Sequence, residues 1–404
     1  MCPCATARKP QGAALVIAIL MMAVLLLAGT TFLTISSTEN QIAFNERSGT
    51  QAFLVAEAAL ARGIAKLSAD PSYSGEAGIL LGDGTASIAV STASLQPCPS
   101  NTAREITAAG SVRVQGGQAR ALLRATADRW YQGLFRWAAF SAVAAGVARW
   151  EWDPYSGGWV DRTGAEVWLR DGSTTDSFNS GGGPYNPATN KTMRGDVASN
   201  SGVLLNPNVV VQGNIMAGDN IALQSGASAT GLTATRIQAE ALPAVGIAGS
   251  PTGALTVAAS ETRALAAGTH YFTTMDFGDD SSLTTDGPAT IYVAGPVTIG
   301  HNVTLGTHPG TNLRIVVKSI GGDADYSHFV AGSNFQFFGG LYGRNTNVSL
   351  GEHAVVYGSV ISRMIATGPH SNIHYDTALS QHGVCGGPGD PYTLLRGTWR
   401  EIIP

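Results

Sequence analysis

The residues best suited to chemistry are two acidic pairs and six histidines in the C-terminal half of the chain. Asp279 and Asp280 lie in a Gly-Asp-Asp-Ser-Ser segment typical of a turn, and Asp323 and Asp325 follow two glycines. The second pair offers oxygen ligands for calcium but lacks the further acidic ligands of a recognisable calcium loop. The histidines are His301, His308, His328, His353, His370 and His374.

The spacing of these residues does not indicate a catalytic site. His370 and His374 are four apart, but the Ser-Asn-Ile between them favours a turn and a strand, in which that spacing does not converge. No H-E-x-x-H, G-x-S-x-G or G-x-x-x-x-G-K-[ST] motif occurs. We therefore predict a protein that is not an enzyme, with no catalytic residue, cofactor or metal site. A β-helical polysaccharide lyase or hydrolase is the competing interpretation.

Composition narrows the function further. Only 13% of the residues are charged, the net charge is −4, and no basic stripe or arginine-rich arm occurs, so no nucleic-acid partner is expected. The 50 glycines stand beside short β-branched runs without a Gly-X-Y period, which is typical of turns and not of collagen. A chain of 404 residues is long enough for two or three domains.

The N-terminus predicts a single membrane-spanning helix. Arg8 and Lys9 precede an apolar run at 13–33, and no charged residue follows until Glu39. A run of this length matches the roughly 20 residues that cross a bilayer. The basic flank predicts that this end of the helix lies in the cytoplasm and that the rest of the chain is exported.

The helix is expected to continue well beyond the membrane. Apolar residues such as Ile42, Phe53 and Leu60 recur at amphipathic spacing up to Asp70-Pro71, which ends the pattern. No small-residue cleavage site follows the apolar run, as an ordinary secretory signal would require. A helix over 13–70, apolar and then amphipathic, suits storage in a bilayer followed by packing in a fibre.

Three short segments resemble the N-terminal region of PilX-type minor pilins of type IV pili. They are Gln11-Gly-Ala-Ala-Leu-Val16 before the apolar run, then Gln51-Ala-Phe53 and Ala56-Glu-Ala-Ala-Leu60. The resemblance implies a leader at 1–12 that a prepilin peptidase removes after Gly12, leaving Ala13 as the new N-terminus. It also implies other pilins and the pilus assembly machinery as partners. The location that it implies is the inner membrane of a bacterium, with the rest of the chain exported to the periplasm.

Position 17 departs from the pattern of major pilins. Those proteins carry glutamate at the fifth mature residue, where its partner is the terminal amine of a neighbouring subunit. Here the residue is Ile17, which cannot make that contact. The resemblance therefore implies a low-copy or tip subunit, and Ile17 is the diagnostic residue for assembly.

The remainder predicts an α+β protein whose exported part is mainly β. Alternating runs at 86–90, 105–107, 111–114 and 120–124, with turns expected at Gly110 and at Gly116-Gly117, favour a small antiparallel sheet within 71–129. Strands of three to five residues, each turned by glycine or asparagine, favour an uneven β-solenoid (β-helix) over 195–380. A tail is expected at 381–404.

The same half resembles the solenoid-like C-terminal domains of uncharacterised proteins with a PilX N-terminal region. The segments that carry this resemblance are Asp176–Ser180 with Tyr185, Gly195–Val197 with Asn200, Tyr357–Val360 and His374–Asp376. This resemblance implies a fold but no assigned activity.

Two features leave alternatives open. Six of the seven tryptophans lie between Trp130 and Trp168, in a region (130–194) that we interpret as an aromatic junction between modules, with a sugar-binding platform as the alternative. Cys98 and Cys385, which remain once the leader has gone, either form one disulfide or stay as two thiols.

The predicted function is that of a structural minor pilin-like subunit of a type IV pilus, low in copy number or at the filament tip. It would move from the inner membrane to the pilus and cell surface and present a β-rich head. The alternatives are a minor pseudopilin of a type II secretion system and a surface adhesin that binds glycan or a cell surface through an unknown ligand.

Overall fold

The described residues of this computed structural model form one long helix, one antiparallel sheet, one large stack of parallel strands and two two-stranded ladders. The structure describes residues 11–94, 103–114, 117–132, 134–143, 150–153, 158–161, 165–240, 242–243, 245, 250–318, 327–381, 383–385, 392–395 and 397–402. The predicted α+β class is confirmed.

The helix α1 spans Gln11–Ala69. The strands, in chain order, are β1 Gly75–Leu81, β2 Gly84–Thr92, β3 Arg104–Val114, β4 Gly117–Asp128, β5 Trp130–Gln132, β6 Ala139–Ser141, β7 Trp150–Asp153, β8 Gly158–Asp161, β9 Val167–Leu169, β10 Thr174–Phe178, β11 Val197–Ser199, β12 Val203–Leu205, β13 Val210–Val211, β14 Ile215–Ala217, β15 Ile221–Leu223, β16 Ser228–Ala229, β17 Thr233–Thr235, β18 Leu255–Val257, β19 Thr262–Leu265, β20 Gly268–Phe272, β21 Met275–Phe277, β22 Ser282–Thr285, β23 Ala289–Val293, β24 Val297–Ile299, β25 Thr304–Leu305, β26 Leu313–Val317, β27 Ser327–Ala331, β28 Gln336–Ser349, β29 Val355–Ala366, β30 Asn372–Asp376, β31 Gly383–Cys385, β32 Thr393–Leu394 and β33 Arg400–Ile402.

Helix α1 is uninterrupted because it contains no proline, and it ends immediately before Asp70-Pro71. The Asp70 carboxylate then accepts hydrogen bonds from the backbone N–H and the hydroxyl of Ser72, which fixes the turn into the sheet. The predicted long N-terminal helix is therefore confirmed.

The antiparallel sheet has the order β1-β2-β3-β4, as a series of hairpins. The predicted small sheet is confirmed, but the turn expected at Gly110 is wrong, because β3 runs straight through that residue. The glycine at position 110 is required for a different reason. A Cβ on Gly110 would lie 2.2 Å from the carbonyl oxygen of Ala52, so its absence lets the strand approach the helix backbone.

The C-terminal segment returns to this sheet instead of trailing away as a tail. Strands β32 and β33 both pair with β4, at Thr393↔Asp128 and Arg400↔Arg124. Just outside the sheet, β5 and β31 pair as a two-stranded neck. Everything between Gln132 and Gly383 is thus inserted between two neighbouring strands of the antiparallel sheet.

The inserted part is a three-sided β-solenoid of nine coils, built from three columns of parallel strands. Column A is β19-β22-β25-β28-β29-β30-β10-β13-β16, column B is β20-β23-β26-β28-β29-β6-β11-β14-β17, and column C is β18-β21-β24-β27-β28-β29-β9-β12-β15. The long strands β28 and β29 each contribute to all three columns. Strands of the region expected as a junction, β6, β9 and β10, belong to the stack as well.

The spatial order of the coils differs from their order in the chain. The chain joins the stack in its middle at β6, runs to one end at β17, crosses to the opposite end at β18, and returns to the middle at β30. There β30 pairs with β10 over Asn372↔Thr174 to Asp376↔Phe178, and β29 pairs with β6 and β9. One central coil is therefore completed by strands from both ends of the insertion.

The segment that crosses between the two ends packs along the outside of column B. Its Leu242 and Val245 pack into one cluster with Tyr292 and Tyr342 of that column. Its Glu240 backbone exchanges two hydrogen bonds of 2.7 Å with the Asn200 side chain. The crossing segment therefore buries an outer face that would otherwise be exposed.

One corner of the solenoid holds a residue of positive φ in every coil. The ladder is, in spatial order, Ser260, Asp280, Asn302, Asn334, His353, His370, Gly172, Asn208 and Gly226, with φ from 56° to 75°. Each backbone N–H up to Asn208 donates to a carbonyl of the next coil at 2.8–3.1 Å. Gly, Asn, Asp and His adopt this conformation most readily, which accounts for most of these residue types.

A second ladder beside that corner consists of glycine. Gly300, Gly332, Gly351 and Gly368 each lie against the backbone of the coil before. A Cβ on Gly351, for example, would lie 2.1 Å from the carbonyl oxygen of Gly332. Coils this close leave no room for a side chain at these positions.

We predict that Gly351→Ala lowers the free energy of unfolding of the solenoid by about 1–3 kcal/mol, the usual effect of an overpacked atom. Gly182→Ala is the matched control, because a Cβ there meets nothing within 4 Å. Thermal unfolding of both variants checks the prediction. Equal melting temperatures for the two variants would contradict it.

Candidate functional site: the N-terminal helix

The first half of α1 touches nothing else in the described part of the protein. Its apolar side chains are open along their length, for example Leu20 at 60%, Leu25 at 70% and Phe32 at 75% exposure. The helix is long and apolar enough to cross a membrane. These side chains form a continuous apolar face along the first half of the helix.

The threonine hydroxyl groups in this half are satisfied within the helix. Thr31 donates to the carbonyl of Leu27 at 2.8 Å, and Thr34 donates to the carbonyl of Thr30 at 2.8 Å. A polar group without a partner is costly in hydrocarbon, so this back-bonding makes the threonines compatible with a bilayer.

The residues predicted for processing and assembly lie at the start of this surface. The backbone of Gly12 and Ala13 is helical, within the first turn after Gln11. Ile17 is 57% exposed and continues the apolar face. Residues 1–10 of the expected leader lie outside the described residues, and cleavage after Gly12 stays a prediction.

The second half of α1 is docked on the antiparallel sheet by small residues. Ala52, Ala56 and Ala59 are fully buried and recur every three or four positions, so they share one helix face. Leu60 and Leu67 extend that face into the same core. Glycines on the sheet side complete the close approach, since a Cβ on Gly84 would lie 2.7 Å from Val55.

The C-terminal segment fastens the helix from the other side. The ring of Trp399 packs edge-on against Phe53 with centroids 5.9 Å apart. The backbone N–H of Tyr392 donates to the Ser68 hydroxyl at 2.9 Å. The C-terminal segment and the second half of α1 thus meet on the antiparallel sheet. Together they form one unit, which we call the head, despite the long insertion.

A surface ion pair adds little to this docking. Arg62 pairs with Glu76 of β1, and the hydrogen bond between them raises the pKa of Arg62 and lowers that of Glu76. Both groups are exposed, and exposed pairs contribute little to stability. The close packing of alanine and glycine carries the interface.

The acidic and histidine candidates do not converge on one site. Asp280, His353 and His370 are members of the positive-φ ladder, and Asp279 accepts a hydrogen bond from the backbone N–H of His301 at 2.7 Å. Asp323 and Asp325 lie outside the described residues. Among the described residues, no group of three or more His, Cys, Asp or Glu could hold a metal ion.

His374 takes part in a different cluster, which its spacing from His370 does not reveal. Strand pairing sets His374 beside Asp176, with Nδ1 2.6 Å from Oδ1. The Tyr185 hydroxyl donates to Asp176 Oδ2 at 2.7 Å, and Lys191 Nζ lies 3.3 Å from the same oxygen. Both carboxylate oxygens are therefore occupied by protein partners.

The ring of Tyr185 also stacks on His374 with centroids 3.8 Å apart, which covers the imidazole. Burial and the hydrogen bond to Asp176 raise the pKa of the Tyr185 hydroxyl, so it stays a donor. The cluster joins β10, β30 and the loop that carries Tyr185, at the place where the two ends of the insertion meet. We call this cluster of Asp176, Tyr185, Lys191 and His374 the Asp176 lock, because its contacts hold these elements together.

Two other expectations are only partly covered by the described residues. Cys98, and the side chain of Cys385, lie outside them, so the disulfide stays a prediction. Of the tryptophans between 130 and 168, the side chains of Trp137 and Trp168 are described. Trp137 stacks on Phe140, and Trp168 donates to Asn206 at 2.9 Å with Arg170 over its ring.

Comparison with known proteins agrees with the character of this helix. Residues 11–61 match the family described as PilX N-terminal. A solved structure, the competence-associated pilin ComZ from Thermus thermophilus, aligns over 88% of this chain and 97% of that one, with 10% sequence identity and a TM-score of 0.27. No curated protein matches the chain.

The N-terminal helix is therefore pilin-like: its first half is exposed and its second half is docked on a small sheet. More particularly, residues 11–61 resemble the N-terminal segment of PilX-type proteins of type IV pili.

Helix docking should depend on Gly110. We predict that Gly110→Ala lowers the free energy of unfolding of the head by about 1–3 kcal/mol, because the new methyl group would overlap the helix backbone. Proteolysis in urea, followed at the 70–75 connection, measures this. Gly117→Ala is the control, since a Cβ there meets nothing within 4 Å. Resistance of the Gly110 variant equal to the control would contradict the prediction.

Proposed function

We propose that the protein is a minor pilin-like subunit that takes part in assembly of a type IV pilus, in low copy or at the filament tip, and presents its solenoid outward. The observation that carries this proposal is the division of α1. The first half, which is long enough to span a membrane, is exposed, whereas the second half packs on the antiparallel sheet.

Such a helix can move from lipid into a bundle of similar helices with little change in apolar burial. Lipid tails are as apolar as a leucine-rich helix face, so packing and not the hydrophobic effect drives that step. The head stays outside the membrane because β4 and the C-terminal strands hold it on the second half of the helix. The inner membrane, other pilins and the assembly machinery are the expected partners.

The size and attachment of the solenoid favour the tip. Nine coils at a spacing of about 4.8 Å extend over roughly 40 Å. In the described part of the chain, the neck of β5 and β31 joins them to the antiparallel sheet. A shaft would have to accommodate this body at every position, whereas a tip accommodates it once. Ile17, which lacks the carboxylate of major pilins, favours the same position.

A minor pseudopilin of a type II secretion system would use the same helix in the same way. Deletion of the gene separates the two roles, because a pilus subunit is needed for surface filaments and a pseudopilin for secreted enzymes. No catalytic role is assigned. Asp280, His353 and His370 serve as corner residues, and His374 belongs to the cluster around Asp176.

Processing is the first test. We predict that prepilin peptidase cleaves between Gly12 and Ala13, so that mass spectrometry of the membrane-extracted protein gives a chain starting at Ala13. Gly12→Lys should leave the precursor intact in the inner membrane, because the enzyme requires the small residue before the cut. A mature chain starting near residue 34 would instead indicate an ordinary signal peptide.

The tip position is tested at residue 17. Ile17→Glu introduces a carboxylate that costs about 2.5–3.5 kcal/mol in mid-bilayer on insertion scales and less near the cytoplasmic edge. We expect no gain, and a modest loss, in the ratio of this protein to the major pilin in sheared filaments. Ile17→Gln is the control for polarity without charge. A large rise in the ratio with glutamate alone would mean that the subunit enters the shaft, and the tip model would fail.

A further inference from the structure

The face of the antiparallel sheet that points away from α1 carries a groove. Side chains alternate between the two faces of a strand, and Gly84 and Gly110 lie against the helix. Their neighbours Thr85 and Ser111 therefore point to the opposite face, where they line the groove. Its volume is about 420 Å³. Sites for small ligands are typically roughly 300–1,000 Å³, so this volume suits a small ligand.

Strand register explains the shape of the groove. Two neighbouring rows of side chains line it, with Ser87, Ala109 and Leu122 in one row and Thr85, Ser111 and Arg120 in the next. Most of these side chains are small, and the two larger ones, Arg120 and Leu122, both belong to β4. On the opposite side the groove is bordered by Gly78 of β1, which forms a β-bulge with a φ of 71°. The groove therefore runs between this bulge and the longer side chains of β4.

The polar groups of the groove bind one another but not an acid. The hydroxyls of Thr85 and Ser111 lie 2.7 Å apart, and Nη2 of Arg120 donates to the side-chain oxygen of Gln118 at 3.1 Å. Arg120 is exposed, and no carboxylate of the described residues pairs with it. A carboxylate is a stronger partner for a guanidinium than the neutral amide of Gln118, because it accepts two charge-assisted hydrogen bonds.

The charges around the groove favour an anion as well. Arg113 and Arg124 lie on the same face, in the rows on either side of the groove. Glu105 lies 3.5 Å from Arg124 and offsets that charge, whereas no acidic side chain of the described part of the chain pairs with Arg113. The groove thus lies in a locally positive field, although the whole chain has a net charge of −4.

We propose that this groove binds a carboxylated sugar, that is, a uronic or sialic acid unit of a glycan. Arg120 binds the carboxylate, and the hydroxyls of Thr85, Ser87 and Ser111 pair with the hydroxyls of the sugar. The small apolar floor at Ala109 leaves room for the C–H face of the ring. The groove faces away from α1, so the inference does not depend on how the helix packs in a pilus.

An acidic peptide fits this groove less well. Peptides that bind a sheet in extended form add to a free strand edge, where backbone groups lack partners. The groove instead lies on the face of β2, β3 and β4, whose backbone groups are already paired within the sheet. Only side chains are available there, and most of them are hydroxyl, amide or guanidinium groups.

The full-length protein in detergent micelles provides the test. The probes are labelled oligosaccharides that end in glucuronic, galacturonic or N-acetylneuraminic acid, each beside a neutral counterpart, and fluorescence anisotropy gives the Kd. At least one acidic probe should bind at least about tenfold more tightly than its neutral counterpart, because only the acid pairs with Arg120. Binding of none of the three at millimolar concentration, or equal binding of the neutral probes, would overturn the proposal.

Two variants locate the binding in the groove. Arg120→Gln should raise the Kd of the acidic probe by at least about tenfold through loss of the bidentate pair. Ala109→Leu should raise it too, because the larger side chain fills the floor without a change of charge. Thermal unfolding of each variant shows that the sheet is intact.

Arg400→Gln is the matched control, since it removes the same charge from the same face outside the groove. It should change the Kd by less than about twofold, because salt screens a charge at that distance. A loss equal to that of Arg120→Gln would mean attraction by charge alone and would overturn the proposal. An acidic peptide that binds as tightly as the sugars, or unchanged binding by Ala109→Leu, would overturn it as well.

Discussion

The close stacking of one coil's backbone on the next is the constraint on which the solenoid depends. Adjacent strands lie about 4.8 Å apart, and at the corners this spacing leaves no space for a Cβ and requires positive φ. Gly351 meets the first condition, and Asn302 and His353 meet the second. The positions of Asp280, His353 and His370, which are candidates for catalysis in the sequence, are thus explained by the backbone conformation at the corner.

The same stacking permits the unusual order of the coils. Backbone hydrogen bonds do not depend on which strand follows which, so β30 can pair with β10 as well as any consecutive pair. Because the chain joins and leaves the stack in the middle, both ends of the solenoid are free of the neck. The Asp176–His374 lock lies at the join, where no covalent connection holds the coils together.

The sequence predicted those parts of the fold that depend on local pattern. The helix follows from an apolar run, an amphipathic continuation and Asp70-Pro71, all of which are readable locally. Strand β1 was missed. The straight course of β3 was also missed, because Gly110 allows a close contact with Ala52, which lies far away in the sequence. The pairing of β29 and β30 with β6 and β10 was unpredictable for the same reason, since each strand has the same local signals in any coil order. Of the candidate site, Gly12, Ala13 and Ile17 came from sequence, whereas the Asp176 lock required strand register.

Placing the insertion between β4 and the C-terminal strands separates two tasks within one chain. The helix–sheet interface is closed by Ala52, Gly110 and Trp399, none of which lies in the solenoid. The neck, in which β5 pairs with β31, lies next to β4. The insertion therefore leaves and re-enters the sheet at the same two strand ends, whatever the length of the inserted segment. The solenoid can therefore vary at its free ends without altering the face that holds the helix.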